Sequence, residues 1–177
     1  MDSGKVIRAL SAAQAVGWRV WTVQERPEGV RLGSVVHDAV WTPAKLARAA
    51  CSVDTQHAAP GIECNCGFHA ARDPVDAFSY LHGRNEPRTI ARVLGEVMLS
   101  GSIVEMLGGW RASQAYPLRL YVRDPELALA LAGYGVPVLS AMCESVTATS
   151  SRRDSAGSRR NSWSAARTRS SRTAVSG

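Results

Sequence analysis

The longest β-rich run of the chain is Ile90-Ala-Arg-Val-Leu-Gly-Glu-Val-Met-Leu-Ser-Gly-Ser-Ile-Val-Glu-Met-Leu107, continued across Gly108-Gly109 by Trp110-Arg-Ala-Ser-Gln-Ala-Tyr-Pro-Leu-Arg-Leu-Tyr-Val122. β-Branched and aromatic residues are dense in it, and Gly101, Gly108-Gly109 and Pro117 punctuate it. This predicts four successive strands, over 90–99, 102–107, 110–116 and 118–122, as the core of a sheet. Upstream, Trp18-Arg-Val-Trp-Thr-Val23 reads as a strand that the turn at 25–29, with Pro27 and Gly29, joins to a second one over 30–41. The two form a hairpin, with Gly33 marking a bulge or a bend.

Short helices fill the remaining segments. Val6, Ile7 and Leu10 recur at helical spacing after Ser3, which predicts a helix over 3–15 ended by Gly17. Thr42-Pro43, Asp73-Pro74 and Asp124-Pro125 each combine a capping side chain with a proline that loses no helical hydrogen bond at the first position. They predict helices over 44–50, from 74 through Phe78 and Leu81, and over 126–132. Residues 136–139 add a last strand or simply pack. The expected fold class is α+β: a mostly antiparallel sheet with three or four short helices and a zinc-tied loop, in a single globular domain over residues 1–144.

The chain has 177 residues and a formal net charge of +6. Residues 1–144 carry 14 Lys+Arg against 14 Asp+Glu, whereas residues 145–177 carry seven Arg and one Asp. All of the excess is in the tail, so the body presents no compositional case for a nucleic-acid surface. The tail is Ser/Arg/Thr/Ala/Gly-rich with Trp163 as its one large apolar residue, and reads as disordered. It is either a solvated tail without a specific partner or a basic arm that contacts nucleic acid through Arg152, Arg153, Arg159 and Arg160. No apolar run approaches the roughly 18 residues that span a bilayer, and the N-terminal residues lack a secretory apolar region, so the expectation is a cytoplasmic protein without a membrane partner.

The segment from Cys51 to His69 holds three of the four cysteines and two of the four histidines. In a reducing compartment such cysteines are more often ligands or buried thiols than disulfides. Residues two apart on an extended chain point to one side, so Cys64 and Cys66 can address one ion. Cys51 and His57 are the nearest residues of suitable chemistry to complete a tetrahedral zinc site, with His69 competing for the fourth place and Cys143 a distant candidate. Four protein ligands close the shell and favour a structural role. A catalytic zinc would need an open position with Glu63 or Asp54 as general base.

Glu105 and Arg111 flank the Gly108-Gly109 turn and are a possible polar pair across a hairpin, either as an exposed ion pair or as part of a pocket. Trp18, Trp21, Trp41 and Trp110 read as core or sheet-face aromatics rather than base-stacking platforms. The chain has no phosphate-binding glycine loop, no nucleophile elbow and no deaminase pattern.

Taken together, Gly17-Trp18-Arg19-Val20-Trp21, Trp41, Cys51, His57-Ala-Ala-Pro60, Cys64-Asn-Cys-Gly67, Gly109-Trp110-Arg111-Ala112 and Ala115-Tyr116-Pro117 resemble a family of small uncharacterised proteins of actinobacteria and their phages. The resemblance covers roughly residues 17–138. The family pattern has an aromatic residue where His69 stands, which implies His57 as the fourth ligand, and Glu-His where this chain has Glu105-Met106. It implies a shared fold and a Cys-Cys-Cys-His site. The expected function is a small zinc-stabilised binding or regulatory module for an unknown protein or ligand, without catalysis. The alternatives are a metal-dependent enzyme with an open zinc site and nucleic-acid binding through the tail.

Overall fold

The computed structural model describes residues 6–83 and 87–140. Its chain order is β1 (Val6–Gln24), β2 (Arg31–Ser34), β3 (Val40–Trp41), β4 (Ala47–Arg48), β5 (Phe68–Ala71), α1 (Pro74–Phe78), β6 (Thr89–Met106), β7 (Gly109–Val122), α2 (Pro125–Leu131), a 3-10 turn at Ala132–Tyr134, and β8 (Val138–Ser140). The eight strands form one mixed sheet, antiparallel except where β8 runs parallel to β7. The expectation of three or four helices is therefore corrected: two short α-helices are present among the described residues. The Arg/Ser-rich tail and Cys143 lie outside the described residues.

Three long strands make the frame. β6 pairs with β1 along one edge and with β7 along the other, the latter through the two-residue turn Leu107-Gly108. The short β5 then pairs with β7 at 109–112 and with β1 at Trp18, so β1, β6, β7 and β5 make a closed circuit. Closure demands bending, and the bends are bulges. Gly101 and Pro117, expected to separate strands, instead sit at register shifts inside continuous ones, where an extra residue kinks the strand and a missing N–H is tolerated. Gly17, at the crossing of β1 and β5, has room for no side chain: a Cβ there would lie 2.8 Å from the Ala71 carbonyl oxygen and 2.9 Å from Ala70 Cβ.

Two predicted helices are strands or turns, for identifiable reasons. The segment 3–15 falls largely in β1, where pairing with β6 overrides local propensity. A register shift between Leu10 and Ala13, with Ala12 at φ 53°, brings both residues against the core, while Ile7, counted on the expected helical face, is exposed. At Thr42-Pro43 the chain makes a reverse turn closed by Lys45 N–H to the Thr42 carbonyl (3.3 Å), with Ala44 at φ 56°. Proline second and positive φ third is a type II pattern. The segment then pairs with β7 as β4. The two Asp-Pro signals do start helices: Asp73 accepts from Val75 N–H at 2.8 Å and Asp124 from Glu126 N–H at 2.9 Å.

The predicted hairpin of β1 and β2 is present in unbroken register, Trp21 opposite Ser34 and Thr22 opposite Gly33. Gly33 marks a close approach to the Thr22 and Gln24 side chains rather than a bulge. The core includes Trp21, Val23, Leu32, Trp41, Val97, Leu99, Ile103, Leu120 and Leu131. Tyr134 locks one end: its hydroxyl accepts from Leu32 N–H (2.8 Å) and donates to the Trp41 carbonyl (2.5 Å). A smaller cluster of Val20, Ala71 and Ala77 packs α1 on another face of β1. Among the described residues no helix is long and apolar enough to cross a membrane.

Candidate metal centre

Strand β7 is the platform on which the site is built. β4 pairs with its residues 114–115 and β5 with 109–112, so both short strands lie along β7, and residues 49–67 loop out between them. Such a loop has no regular ladder to satisfy its backbone and needs other ties. At its start Ala49 N–H donates to the Ser113 carbonyl at 2.8 Å. At its end Gly67 takes φ 110°, a conformation that favours glycine, and leads into Phe68.

The loop brings Cys51, His57, Cys64 and Cys66 together, their ligand atoms all within 4.8 Å of one another. Cys51 Sγ lies 3.6 Å from Cys64 Sγ, and His57 Nε2 lies 3.3 Å from Cys66 Sγ. None of the three cysteines is in a disulfide. Bonds of about 2.3 Å from zinc to sulfur and about 2.0 Å to nitrogen give a tetrahedron with S–S edges of about 3.8 Å and S–N edges of about 3.5 Å. The observed separations sit close to those edges. The sequence argument placed Cys64 and Cys66 on an extended segment; the structure uses a bend, in which Cys64 N–H reaches the Gly61 carbonyl at 3.4 Å.

The surroundings prepare the donors for a cation. Asp54 N–H donates to Cys51 Sγ at 3.3 Å and Gly61 N–H to Cys66 Sγ at 3.2 Å. The Cys51 thiol is pulled down to about 7, first by the backbone N–H of Asp54 and then by that of Val53, which favours the thiolate that a metal requires. His57 Nδ1 faces Asp54 Oδ2 at 3.2 Å. A proton on Nδ1 donating to that carboxylate leaves the Nε2 lone pair for the ion, the usual support of a ligating histidine. Contact with Cys66, then with Asp54, raises the His57 pKa above its ordinary value, so protons compete with a metal at this ring. Gly61 keeps the ring in place by having no side chain, since a Cβ would meet it at 2.8 Å.

Arg111 is the residue that sequence reasoning assigned to the wrong task. Directly opposite it in the hairpin is Val104, while Glu105 is opposite Trp110, so alternation puts Glu105 and Arg111 on different faces. Glu105 instead pairs with Arg8 at 2.5 Å and Arg72 at 3.0 Å. Arg111 is buried beneath the loop, 3% exposed, and its Nη1 donates to the carbonyls of Gly61 (3.0 Å), Cys64 and Cys66 (3.2 Å). Three thiolates, a neutral imidazole and a divalent ion would carry one net negative charge. The guanidinium supplies the opposite one.

The other candidates are placed elsewhere. His69 is turned to the Asn65 carbonyl, 3.0 Å from its Nε2, and burial lowers its pKa; it is not in the cluster. Glu63 is exposed on the loop. Trp21 and Trp41 are core residues in edge contact, Trp18 stacks on Tyr121, and Trp110 lies under the Arg72 guanidinium at 4.3 Å. Comparison of the chain with protein-family models, with curated proteins and with solved structures finds no match in any of the three.

Proposed function

We propose that Cys51, His57, Cys64 and Cys66 hold one zinc ion in a structural role, and that the protein is a small binding or regulatory module without catalytic activity. The observation that carries this reading is the pair of ligand separations, 3.6 Å between two sulfurs and 3.3 Å between nitrogen and sulfur, in a cluster of four donors. Thiolate and imidazole donors in a tetrahedral set favour zinc over harder cations. Four protein ligands leave no position for an activated water, which favours the structural role over the catalytic one. Arg111, by gripping three carbonyls of the loop, ties the ligand-bearing loop to β7.

Replacement of zinc by cobalt tests both halves. A closed three-sulfur, one-nitrogen site gives an intense tetrahedral visible spectrum and thiolate charge-transfer absorption that added cyanide or azide leaves unchanged. A weak octahedral spectrum, or one that shifts on adding either anion, contradicts the closed site and moves the reading to an open, catalytic metal.

A further inference from the structure

Next to the metal loop lies a cavity of about 450 Å³. That is within the roughly 300–1,000 Å³ of small-molecule sites. Its apolar walls come from Trp18 and Val20 of β1, Val35 just past β2 and Ala77 of α1, and its near wall from Asn65 and Cys66 of the loop. No Asp or Glu lines it, whereas Arg19 does.

Arg19 is an unusual residue to find there. It sits on β1 between Trp18 and Val20, with its guanidinium 5.3 Å from the Trp41 ring centroid. Nη1 donates to the His69 carbonyl at 2.6 Å and Nη2 to Ser34 Oγ at 3.1 Å. A guanidinium has five N–H donors, and the enclosed Nε is without a partner. Among the described residues no carboxylate pairs with Arg19, and burial depresses its pKa to about 10, with Tyr80 acting in the opposite direction. Arg19 is half-buried, and a charge so far removed from water is ordinarily paired.

We infer that this cavity binds a small organic monocarboxylate, its carboxylate on the Arg19 guanidinium between Ser34 and His69, and its apolar or aromatic body across the edge of β1 toward Trp18 and Val35 on the strand's other face. One half-buried cation matches one negative charge, since Arg48 on the same wall is solvent-exposed. The planar fork of arginine suits a carboxylate's two oxygens. The inference deepens the reading of the protein as a binding module and rests on it, because the metal-tied loop forms one wall.

The experiment uses the full chain with zinc content measured on every sample. Indole-3-acetate, 2-naphthoate and octanoate are titrated by calorimetry, each against its primary amide. Saturable binding of at least one acid, at least tenfold tighter than its amide, is expected. Arg19→Gln should remove that preference, and Val35→Trp, which fills the cavity and leaves the charge in place, should abolish binding while zinc content and circular dichroism stay unchanged. Failure of all three acids to bind a chain that holds one zinc overturns the inference and leaves the metal reading standing. So does equal binding of acid and amide, or full binding by folded Val35→Trp. A folded chain without zinc overturns the metal reading alone, and the titration on that sample still decides the cavity.

Discussion

Arg111 carries the connection between the metal loop and the sheet, because one buried guanidinium serves carbonyls at Gly61, Ile62, Cys64 and Cys66. Removing it leaves four part-buried carbonyls without their shared donor and β7 without its tie to the loop. Arg111→Met is expected to destabilise the folded protein by about 3 kcal/mol or more, measured by urea unfolding; a change under about 1 kcal/mol would contradict that role. Asp54 faces His57 Nδ1 and would act on a bound ion through that ring. Asp54→Asn is expected to weaken metal binding by about 10- to 100-fold in competition with a chromophoric chelator, and unchanged affinity would show that the carboxylate does not orient the ring.

Glu105 gives a pH dependence with a definite sign. Arg72, then Arg8, hold its carboxyl below the ordinary 4.5. A depressed folded-state value means that its contribution is fully present above about 4.5 and is lost as pH falls through the lower, folded value. Thermal midpoints between pH 6 and 3 should therefore fall more steeply for the wild type than for Glu105→Gln. Parallel curves would show that the pair contributes nothing. The sequence made Glu105 and Arg111 plausible partners by proximity to one turn, but strand alternation across Met106 opposite Gly109 assigns them to different faces. Which residue faces which is a matter of register, and register is set by long-range pairing.

At the scale of elements, β7 explains why the ligands meet. It receives β4 and β5 along its length, so the chain before Cys51 and the chain after Cys66 are both fixed to one rigid strand. Closure of the circuit depends on β5 touching β1 at Trp18, where Gly17 admits the Ala70–Ala71 backbone. Gly17→Ala is expected to cost about 1–3 kcal/mol through overpacking against a carbonyl that cannot move away. An equilibrium unfolding curve that superimposes on the wild type would contradict the close crossing. The runs that form β6 and β7, the first hairpin and the two Asp-Pro helices were legible from residue type and turn chemistry, although Gly101 and Pro117 were read as strand ends; β5, which closes the circuit, was read as part of an irregular segment. The N-terminal half of β1 was not, because Val6, Ile7 and Leu10 have a helical spacing that pairing with β6 overrides, leaving Ile7 exposed. Nor was β4, because Thr42-Pro43 suits a turn as well as a helix start and only β7 decides between them.

Over the whole molecule, a sheet that closes through a four-residue strand is stable only if the loop feeding that strand is held. Arg111 grips that loop, a zinc on the Cys51, His57, Cys64 and Cys66 cluster would tie it further, and the cavity beside it takes its shape from the same loop. The three cysteines were readable from spacing and donor chemistry, whereas spacing left His57 and His69 competing for the fourth place and the family resemblance alone favoured His57. Arg19 was passed over, although a charged residue within Trp18-Arg-Val-Trp21 was the available signal: in a half-buried strand it needs a partner, and the sequence names none.

The central claim is that one zinc closes the loop and thereby the fold. Elemental analysis of the purified chain, with thiol reactivity followed before and after chelation, tests it directly. One zinc per chain, with thiols protected until a chelator exposes them and the near-ultraviolet dichroism collapses, is the predicted result. A metal-free chain with freely reactive thiols and an intact fold would contradict it.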